Sequence, residues 1–209
     1  MPCPLCYNTH IKAYCKHDGV QFLSCSSCEL VFKDLSHLPS REKEKERYLL
    51  HQNDVEDKNY QRFVAPIVDS ILDSQPKKAR GLDFGAGSGP VIAKLLRDKN
   101  YSINLYDPFF YPDTNVLAST YDFIVCCEVM EHFHNPYNEF DLLRKLLLPG
   151  GRLYCMTELL PKHEYFEAWY YKNDPTHVVF YSEKNLNWIK NNIGFTDLTI
   201  DSRLILFTK

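Results

Sequence analysis

Strand-like and helix-like segments alternate along the chain from residue 80 onward, and this alternation limits the possible folds more than any other feature of the sequence. Such alternation requires right-handed crossovers and a parallel sheet that is covered on both faces. The sequence therefore predicts an α/β fold with a doubly wound, mostly parallel sheet. The predicted strands are residues 81–84, 101–106, 122–127, 152–157, 195–201 and 203–208, and the predicted helices are residues 91–99, 138–147 and 182–192.

A glycine-rich turn follows the first of these strands. Gly85, Gly87 and Gly89 alternate with Ala86 and Ser88 where the strand gives way to a helix. Glycines let the backbone turn sharply and approach a ligand closely, and the amides at the start of the helix favour a negative group. The spacing fits neither the Gly-x-Gly-x-x-Gly fingerprint of dinucleotide sites nor the Gly-Lys-Ser/Thr of a phosphate-binding loop. A nicotinamide or nucleoside triphosphate site is therefore not expected.

Two acidic residues flank this turn in the sequence. Asp83 precedes the glycines, and Asp107 closes the next predicted strand. Together with Gly-x-Gly-x-Gly, these acids resemble the S-adenosylmethionine site of class I methyltransferases. The resemblance implies that Asp107 accepts hydrogen bonds from the two ribose hydroxyls and that residues 85–87 line the methionine portion of the cofactor. An ionised carboxylate only accepts hydrogen bonds, which suits a vicinal diol.

Three later motifs extend this resemblance over residues 80–209. The segment 122–136 is similar to the fourth-strand motif of methyltransferases related to the ubiquinone-biosynthesis O-methyltransferases, residues 148–153 match their turn before strand five, and residues 174–182 look like a late segment of many relatives. The resemblance implies a Rossmann-like methyltransferase fold with a seven-stranded sheet. The cofactor-binding residues that it implies are Asp83, Gly85, Ala86, Gly87, Gly89, Asp107, Pro108, Cys127, Glu128 and Val129.

Two histidines are candidates for the proton-accepting step of methyl transfer. His132 lies just beyond the fourth predicted strand of this domain, and His177 lies in the late loop that should cover the same edge of the sheet. Imidazole titrates near neutrality, so either side chain is a candidate general base. The alternative for each is a structural histidine that orients a loop or caps a helix.

Glu128, Glu131 and His132 have i, i+3, i+4 spacing, which would place them on one face of a helix that begins at Glu128. In the ubiquinone-type enzymes that this segment resembles, the same pattern is associated with a divalent cation. Two other interpretations stay open: Glu128 braces the cofactor loop, or these side chains cap a helix and face solvent.

Aromatic residues are concentrated in a predicted insertion at about residues 159–181. Aromatic side chains serve either as the wall of a pocket for a planar or apolar acceptor or as a lid packed on the sheet edge, and both interpretations stay open. The residues are Tyr165, Phe166, Trp169, Tyr170 and Tyr171.

Four cysteines near the start of the sequence have the spacing of a zinc ribbon. Cys3 and Cys6 form one Cys-x-x-Cys pair and Cys25 and Cys28 form a second. Two such pairs complete a tetrahedron of thiolates around Zn²⁺, which leaves no open coordination position and predicts a structural metal. Paired disulfides or a rubredoxin-like iron are the alternatives. Cys15 lies between the pairs and is expected to be a bystander.

The sequence predicts three successive units: a zinc ribbon over residues 1–38, a connector of one or two helices over residues 39–76, and a cofactor-binding domain over residues 77–209. The start of the chain shows no basic segment followed by an apolar run, and no apolar stretch approaches 18 residues, so secretion and membrane spanning are not expected. With the cysteine pattern, this predicts a cytoplasmic protein with reduced thiols.

The function predicted from these features is S-adenosylmethionine-dependent methyl transfer to oxygen, carbon or nitrogen of a small molecule. One alternative is an RNA methyltransferase whose ribbon presents the nucleotide, and another is a zinc-dependent interaction module on a catalytically silent methyltransferase fold. A net charge of −3 and a nearly neutral ribbon disfavour nucleic acid, since phosphate recognition needs a surplus of Lys and Arg. The sequence defines neither the acceptor nor the oligomeric state.

Overall fold

The main sheet of the protein has the predicted α/β architecture. The computed structural model describes residues 1–50 and 54–209, and in them six strands form a mixed sheet in the order β5-β4-β6-β7-β10-β9. The first four strands in this order are mutually parallel, and β10 pairs antiparallel with both β7 and β9. The strands are β4 (Arg80–Phe84), β5 (Ser102–Tyr106), β6 (Tyr121–Cys127), β7 (Leu147–Met156), β9 (Asp197–Asp201) and β10 (Leu204–Thr208).

The expected seventh strand is absent from the described residues, so the predicted strand number was wrong. Only residues 107–120 separate β5 from β6, and this segment forms an isolated bridge between Asp107 and Tyr111 and a 3₁₀ helix over Thr114–Ala118. A parallel crossover needs about a dozen residues or more. The segment is therefore too short for a further strand with a crossover on each side, and β5 is the edge of the sheet.

Helices cover both faces of this sheet, as its buried strands require. Helix α2 begins after the capping carboxylate of Asp57 and ends just before Gln75, and its buried side chains include Val64 and Ile67. The last predicted helix is shorter than expected, because its final turn is a π-helical turn over Lys190–Gly194. The helices are α1 (Arg41–Leu49), α2 (Lys58–Ser74), α3 (Val91–Arg97), α4 (Pro136–Leu146), α5 (His163–Phe166) and α6 (Glu183–Ile189). In the described part of the chain, no helix is long and apolar enough to cross a membrane.

The cysteine-containing segment folds into a second, four-stranded sheet in the order β1-β2-β3-β8. Gly19, with φ of +81°, forms the turn between the first two strands, as expected for a glycine in a tight hairpin. The fourth strand comes from the late insertion and pairs antiparallel with β3. The strands are β1 (Ile11–His17), β2 (Val20–Cys25), β3 (Val31–Lys33) and β8 (Val179–Phe180).

The insertion packs against this small sheet through its aromatic side chains. Phe166 is 2% exposed, and its ring lies 5.1 Å from that of Phe22 and 5.9 Å from that of Trp169, centroid to centroid. Tyr165 and Tyr170 are instead exposed. Part of the insertion is thus packed on one face of the small sheet, and part of it is exposed.

Candidate cofactor and acceptor site

A cavity of about 1010 Å³ lies at the carboxyl ends of β4, β5 and β6. In open α/β sheets this edge, outside the ends of the parallel strands, is where ligands bind. The volume is at the upper end of the usual range for small-molecule sites. All ten residues predicted to bind the cofactor line it, together with His132 and His177.

The glycine turn approaches the segment after β6 more closely than a side chain would permit. Gly85 has φ of +80°, and a Cβ built on it would lie 2.4 Å from Cγ2 of Val129. Gly87 also has a positive φ, of 62°. The backbone amides of Gly85 and Ala86 donate to the carbonyl oxygen of Tyr106, at 2.8 and 3.1 Å, which ties the turn to the end of β5.

Asp107 joins this turn to the next loop. Its Oδ2 accepts a hydrogen bond from the backbone amide of Gly87 at 3.0 Å, and its Oδ1 accepts from the amides of Phe109 and Phe110 at 2.8 and 3.0 Å. The residue is 7% exposed and lines the cavity. Each carboxylate oxygen has two lone pairs, so Oδ2 retains acceptor capacity for a ligand hydroxyl.

Asp83 is buried at the end of β4, where the strand meets the cavity. Burial raises the pKa of its carboxyl group to about 7, and a hydrogen bond from the backbone amide of Ala93 offsets part of that shift. A carboxyl group in such a position gains from a positively charged ligand group, which would favour its ionised form.

The two candidate histidines form a pair in the lining of the cavity, with ring centroids 4.8 Å apart. Nδ1 of His132 lies 2.9 Å from the carbonyl oxygen of Thr176, and Nδ1 of His177 lies 2.7 Å from that of Tyr171. A carbonyl oxygen can only accept, so each Nδ1 carries a proton, and in the neutral form of each ring Nε2 carries a lone pair. Burial, reinforced by the neighbouring His132, lowers the pKa of His177 to about 3, and burial also lowers the pKa of His132. Both imidazoles are therefore neutral at physiological pH.

The predicted shared helical face of Glu128, Glu131 and His132 does not form. Glu128 has φ of 52°, in the left-handed region, and the helix that follows is a single 3₁₀ turn over Met130–His132. Glu128 turns to Arg203, whose Nη2 donates to its Oε1 at 2.8 Å. The structure instead groups Glu131 and His132 with His177, one potential ligand atom of each lying within 4.8 Å of the others.

Glu128 and Glu131 share the hydroxyl group of Tyr171. This hydroxyl donates to Oε1 of Glu131 and lies 3.2 Å from Oε2 of Glu128, while the Thr157 hydroxyl donates to Oε2 of Glu131 at 3.0 Å. Burial raises the pKa of both carboxyl groups to about 7, and for Glu128 the second cause is the nearby charge of Glu131. Both carboxyl groups therefore hold a proton more readily than a glutamate in water does.

Several cavity residues were missed by the sequence reasoning because they come from distant parts of the chain. Arg203 lies in the turn between β9 and β10, pairs with Glu128 and stacks over the ring of Phe63 at 5.0 Å. Its Nε is buried with no hydrogen-bond partner in the described residues. Strand β10 runs antiparallel to β7 and starts opposite Met156, so the turn before β10 lies at the carboxyl edge of the sheet. The sequence predicts two strands joined at this turn, and that signal could have identified Arg203.

Helix α1 contributes Glu44, Arg47 and Tyr48 to the lining of the cavity. Its Arg47 donates two hydrogen bonds to Oδ2 of Asp174, at 2.7 and 3.1 Å, and its Glu44 lies 2.7 Å from Nε2 of His134. The ring of Tyr48 contacts that of His132 edge-on at 5.3 Å. The sequence predicted a connector of one or two helices over residues 39–76 but gave no signal that it would contribute to a site.

The four cysteines predicted to bind a metal lie together. The Sγ atoms of Cys3 and Cys28 are 3.5 Å apart, those of Cys6 and Cys25 are 3.4 Å apart, and all four lie within 4.8 Å of one another. All eight cysteines of the chain are free thiols. A hydrogen bond with Cys28 lowers the pKa of Cys3 to about 6. Sulfur atoms at these separations fit a tetrahedral site with Zn–S bonds of about 2.3 Å.

The sheet order, the glycine turn and the acid at the end of the second parallel strand define a Rossmann-like α/β protein of the methyltransferase type. A family described as a methyltransferase domain, Methyltransf_23, matches residues 57–200, so the chain belongs to this family of S-adenosylmethionine-dependent methyltransferases. Among curated proteins, no sequence matches the chain.

Solved structures share this fold at low sequence identity. An O-methyltransferase family protein from Burkholderia thailandensis is 14% identical with a TM-score of 0.56, covering 88% of this chain and 64% of that one. A SAM-dependent methyltransferase from Archaeoglobus fulgidus is 14% identical with a TM-score of 0.55, covering 71% and 94%. The 1,6-didemethyltoxoflavin-N1-methyltransferase of B. thailandensis, solved with its acceptor and S-adenosylhomocysteine, is 14% identical with a TM-score of 0.53, covering 88% and 97%. At this identity the likeness concerns the fold alone.

Proposed function

We propose that this protein transfers the methyl group of S-adenosylmethionine to an oxygen, carbon or nitrogen atom of a small molecule. The observation that carries this proposal is the contact between the glycine turn and Asp107, where the amide of Gly87 and Oδ2 of Asp107 lie 3.0 Å apart at the wall of the cavity. That contact places the glycine turn, which a ligand can approach closely, beside a carboxylate that can accept hydrogen bonds from ribose hydroxyls. S-adenosylmethionine needs both features. The structural neighbour from B. thailandensis that acts on 1,6-didemethyltoxoflavin is consistent with a small acceptor.

In this proposal the cofactor lies across the ends of β4, β5 and β6. Asp107 accepts from the ribose hydroxyls, and residues 85–87 face the methionine portion. Asp83 lies at the end of β4, where a positively charged ammonium group of the methionine portion would favour its ionised form. The further residues proposed to contact the cofactor are Gly89, Pro108, Cys127, Glu128 and Val129, all of which line the cavity.

For methyl transfer, the protein has to align the acceptor atom with the methyl group and accept one proton from the acceptor. When bound, S-adenosylmethionine would supply the methyl group: an electron pair of the acceptor atom would form the new bond to the methyl carbon while the carbon–sulfur bond broke and left its electrons on sulfur. The proton displaced from the acceptor passes to Nε2 of His177, with His132 as the second candidate. Since the pKa of His177 is lowered to about 3 by burial, it takes up this proton only as the attacked atom becomes positive.

The charge around the cavity supports a neutral or cationic acceptor. Both arginines of its lining are already paired, Arg47 with Asp174 and Arg203 with Glu128. Asp83, Asp107 and Glu139 add carboxyl groups without a paired arginine or lysine in the lining. A phosphate-rich substrate needs the opposite balance, which favours a small molecule over RNA.

We further propose that Cys3, Cys6, Cys25 and Cys28 hold one structural Zn²⁺. Four thiolates leave no open position for a substrate, so the metal would supply folding energy to a segment with a small apolar core. The division into a ribbon (residues 1–38), a helical connector (39–76) and a cofactor-binding domain (77–209) stays a prediction, as does the cytoplasmic location.

Binding of S-adenosylhomocysteine by isothermal titration calorimetry tests the proposed function. Asp107→Ala should weaken binding by about tenfold to a hundredfold, since a charge-assisted hydrogen bond contributes roughly 1.5 to 3 kcal/mol. Asp113→Ala is the matched control, because Asp113 is exposed, caps a 3₁₀ turn in the same loop and lies outside the cavity lining. Its affinity should stay within about twofold of the native value, an order-of-magnitude expectation for a surface change.

Two results would contradict the proposal. If the native protein binds no S-adenosylhomocysteine, the fold is a silent methyltransferase scaffold and the interaction-module alternative is favoured. If Asp107→Ala binds as tightly as the native chain while remaining folded, the ribose is held elsewhere and the assigned cofactor position is wrong.

A further inference from the structure

Lys33, the last residue of β3, is a buried lysine whose ammonium group donates hydrogen bonds to backbone carbonyl oxygens. The residue is 5% exposed, and its Nζ lies 2.7 Å from the carbonyl oxygen of Asp174 and 3.3 Å from that of Pro175. Lysine is almost never fully buried unless it is paired. The carboxylate of Asp174 is already bound by Arg47, so the ammonium of Lys33 is directed at the backbone of the segment and not at its side-chain charge.

The segment that Lys33 holds, residues 174–178, is a wall of the proposed acceptor site. The carbonyl oxygen of Thr176 accepts from Nδ1 of His132 at 2.9 Å, and the amide of Val178 donates to the carbonyl oxygen of Glu131 at 2.9 Å. His177 lies in the middle of the segment. The segment therefore holds the ring of His132 directly and carries the backbone of His177, whose ring is held in turn by the carbonyl oxygen of Tyr171 at 2.7 Å.

The cysteine-containing unit reaches this segment through a short strand. Lys33 donates its own amide to the carbonyl oxygen of Val178 at 2.9 Å, and β3 then pairs with β8 through Val31 with Phe180 and Phe32 with Val179. Strand β3 begins three residues after Cys28. Hydrogen-bonded backbone therefore connects the four-cysteine unit to residues 174–178.

We propose that Lys33 is a positioning residue that couples the four-cysteine unit to the acceptor site by fixing residues 174–178. The role given to His132 and His177 rests on the proposed function, whereas the coupling itself is a statement about this chain's own contacts. An apolar residue at position 33 would remove the ammonium donor from both carbonyl oxygens, although that of Asp174 would keep its hydrogen bond from the amide of His177 at 3.2 Å. The loss of these buried hydrogen bonds would drive the segment to rearrange. In the native protein, the four-cysteine unit would influence the reaction through Lys33 without contacting the cofactor.

Lys33→Met tests this coupling, with Lys12→Met on the exposed face of β1 as the matched control. The protein is labelled with ¹⁵N-histidine, and the signals of His132 and His177 are assigned from His132→Asn and His177→Asn. In the native chain and in the control, both residues should show protonated Nδ1 and unprotonated Nε2, with protected Nδ1–H signals. In Lys33→Met those two Nδ1–H signals should be lost, while the affinity for S-adenosylhomocysteine changes by less than about threefold, since no cofactor contact is removed.

Lys33→Gln keeps the test decisive if Lys33→Met does not fold. Glutamine retains amide donors but has a shorter reach and no charge, so the same two signals should be lost in a folded protein. Retention of both Nδ1–H signals in either folded variant would overturn the proposal. A native protein that binds no S-adenosylhomocysteine would overturn the proposed function alone, because the histidine signals report the coupling without any cofactor.

Discussion

Two separate constraints exclude a side chain at position 85. The φ of Gly85, +80°, lies in the left-handed region, and a Cβ on it would lie 2.4 Å from Cγ2 and 2.7 Å from Cγ1 of Val129. The first constraint is intrinsic to the backbone, and the second comes from the tertiary contact between the glycine turn and the segment after β6. Gly150 has a similar φ of +75° but no atom within 4 Å of its Cβ position, so this residue separates the two effects.

Gly150→Ala should destabilise the protein by about 1 to 2 kcal/mol, the usual cost of a left-handed alanine. Gly85→Ala should cost more than this, because Val129 must also move, and it should weaken S-adenosylhomocysteine binding at least tenfold as the turn is displaced. Urea unfolding and calorimetry measure the two quantities. Equal losses of stability in the two variants, with unchanged affinity for Gly85→Ala, would show that the close approach to Val129 has no role in the site.

The residues that could be predicted from the sequence are those whose signal is local. The glycine turn, Asp83 and Asp107 are encoded within one strand–turn–helix unit and the end of the next strand, and all of them line the cavity. Arg203 was missed as a functional residue, although the predicted hairpin turn could have placed it at this edge of the sheet. Tyr171 was expected only as an aromatic of the pocket wall or lid. The contacts of Tyr171 with Glu131 and of Arg203 with Glu128 depend on tertiary structure, and no spacing in the sequence indicates them.

The late insertion is an element that serves two purposes at once. Tyr170 and Tyr171 line the cavity, whereas Phe166 packs in a cluster with Phe22 and Phe180. The sequence left both interpretations open because aromatic residues suit a pocket wall and a packed lid equally. In the structure Phe166 is packed on the small sheet and Tyr170 lines the cavity, whereas Tyr171 does both, since it lies in the same buried cluster as Phe166.

Phe166→Ala should destabilise the protein by about 3 to 5 kcal/mol, the range for removing a buried phenylalanine ring. Tyr165→Ala is the control, since Tyr165 is the preceding residue and 60% exposed, and it should change stability by less than about 0.5 kcal/mol. Chemical denaturation measures both. A loss below 1 kcal/mol for Phe166→Ala would indicate that the insertion does not pack on the small sheet in solution.

The elements were predicted well where periodicity is strong and poorly where an element is short. The central strands follow from their apolar runs, and β6 from residue 121 to 127 differs from its prediction by one residue. The two-residue β8 is too short to give any pattern, yet it joins the small sheet to the insertion. The seventh strand was expected from family resemblance and not from the sequence, and the short connection after β5 excludes it.

At the scale of the whole molecule, the two sheets share one hydrophobic core. A single cluster of buried side chains includes Cys3, Leu5 and Leu30 from the cysteine-containing unit and Phe140 and Phe207 from the main sheet and its covering helix. Such a continuous core predicts one cooperative unfolding transition, in which the small sheet does not melt separately. If the four thiolates hold zinc, the metal should stabilise the entire chain.

The purified protein should carry about one zinc per chain, as measured by inductively coupled plasma mass spectrometry. Structural zinc contributes on the order of 10 kcal/mol in small peptides, and each kcal/mol corresponds to about 2 to 4 °C in a chain of this size. Removal of the metal by a chelator, or Cys25→Ser, should therefore lower the melting temperature by more than about 10 °C, even if zinc stabilises this chain by only half of that energy. The protein should still unfold in one transition.

Cys15→Ser provides the control, because Cys15 is the same residue type on the neighbouring strand β1 but lies outside the four-cysteine cluster. It should retain the zinc and melt within about 2 °C of the native protein, as expected for a change that removes no metal ligand. Two separate transitions after chelation would show that the small sheet unfolds independently, which contradicts the shared core. Loss of zinc from Cys15→Ser, or its retention in Cys25→Ser with an unchanged melting temperature, would mean that the metal is held by other residues.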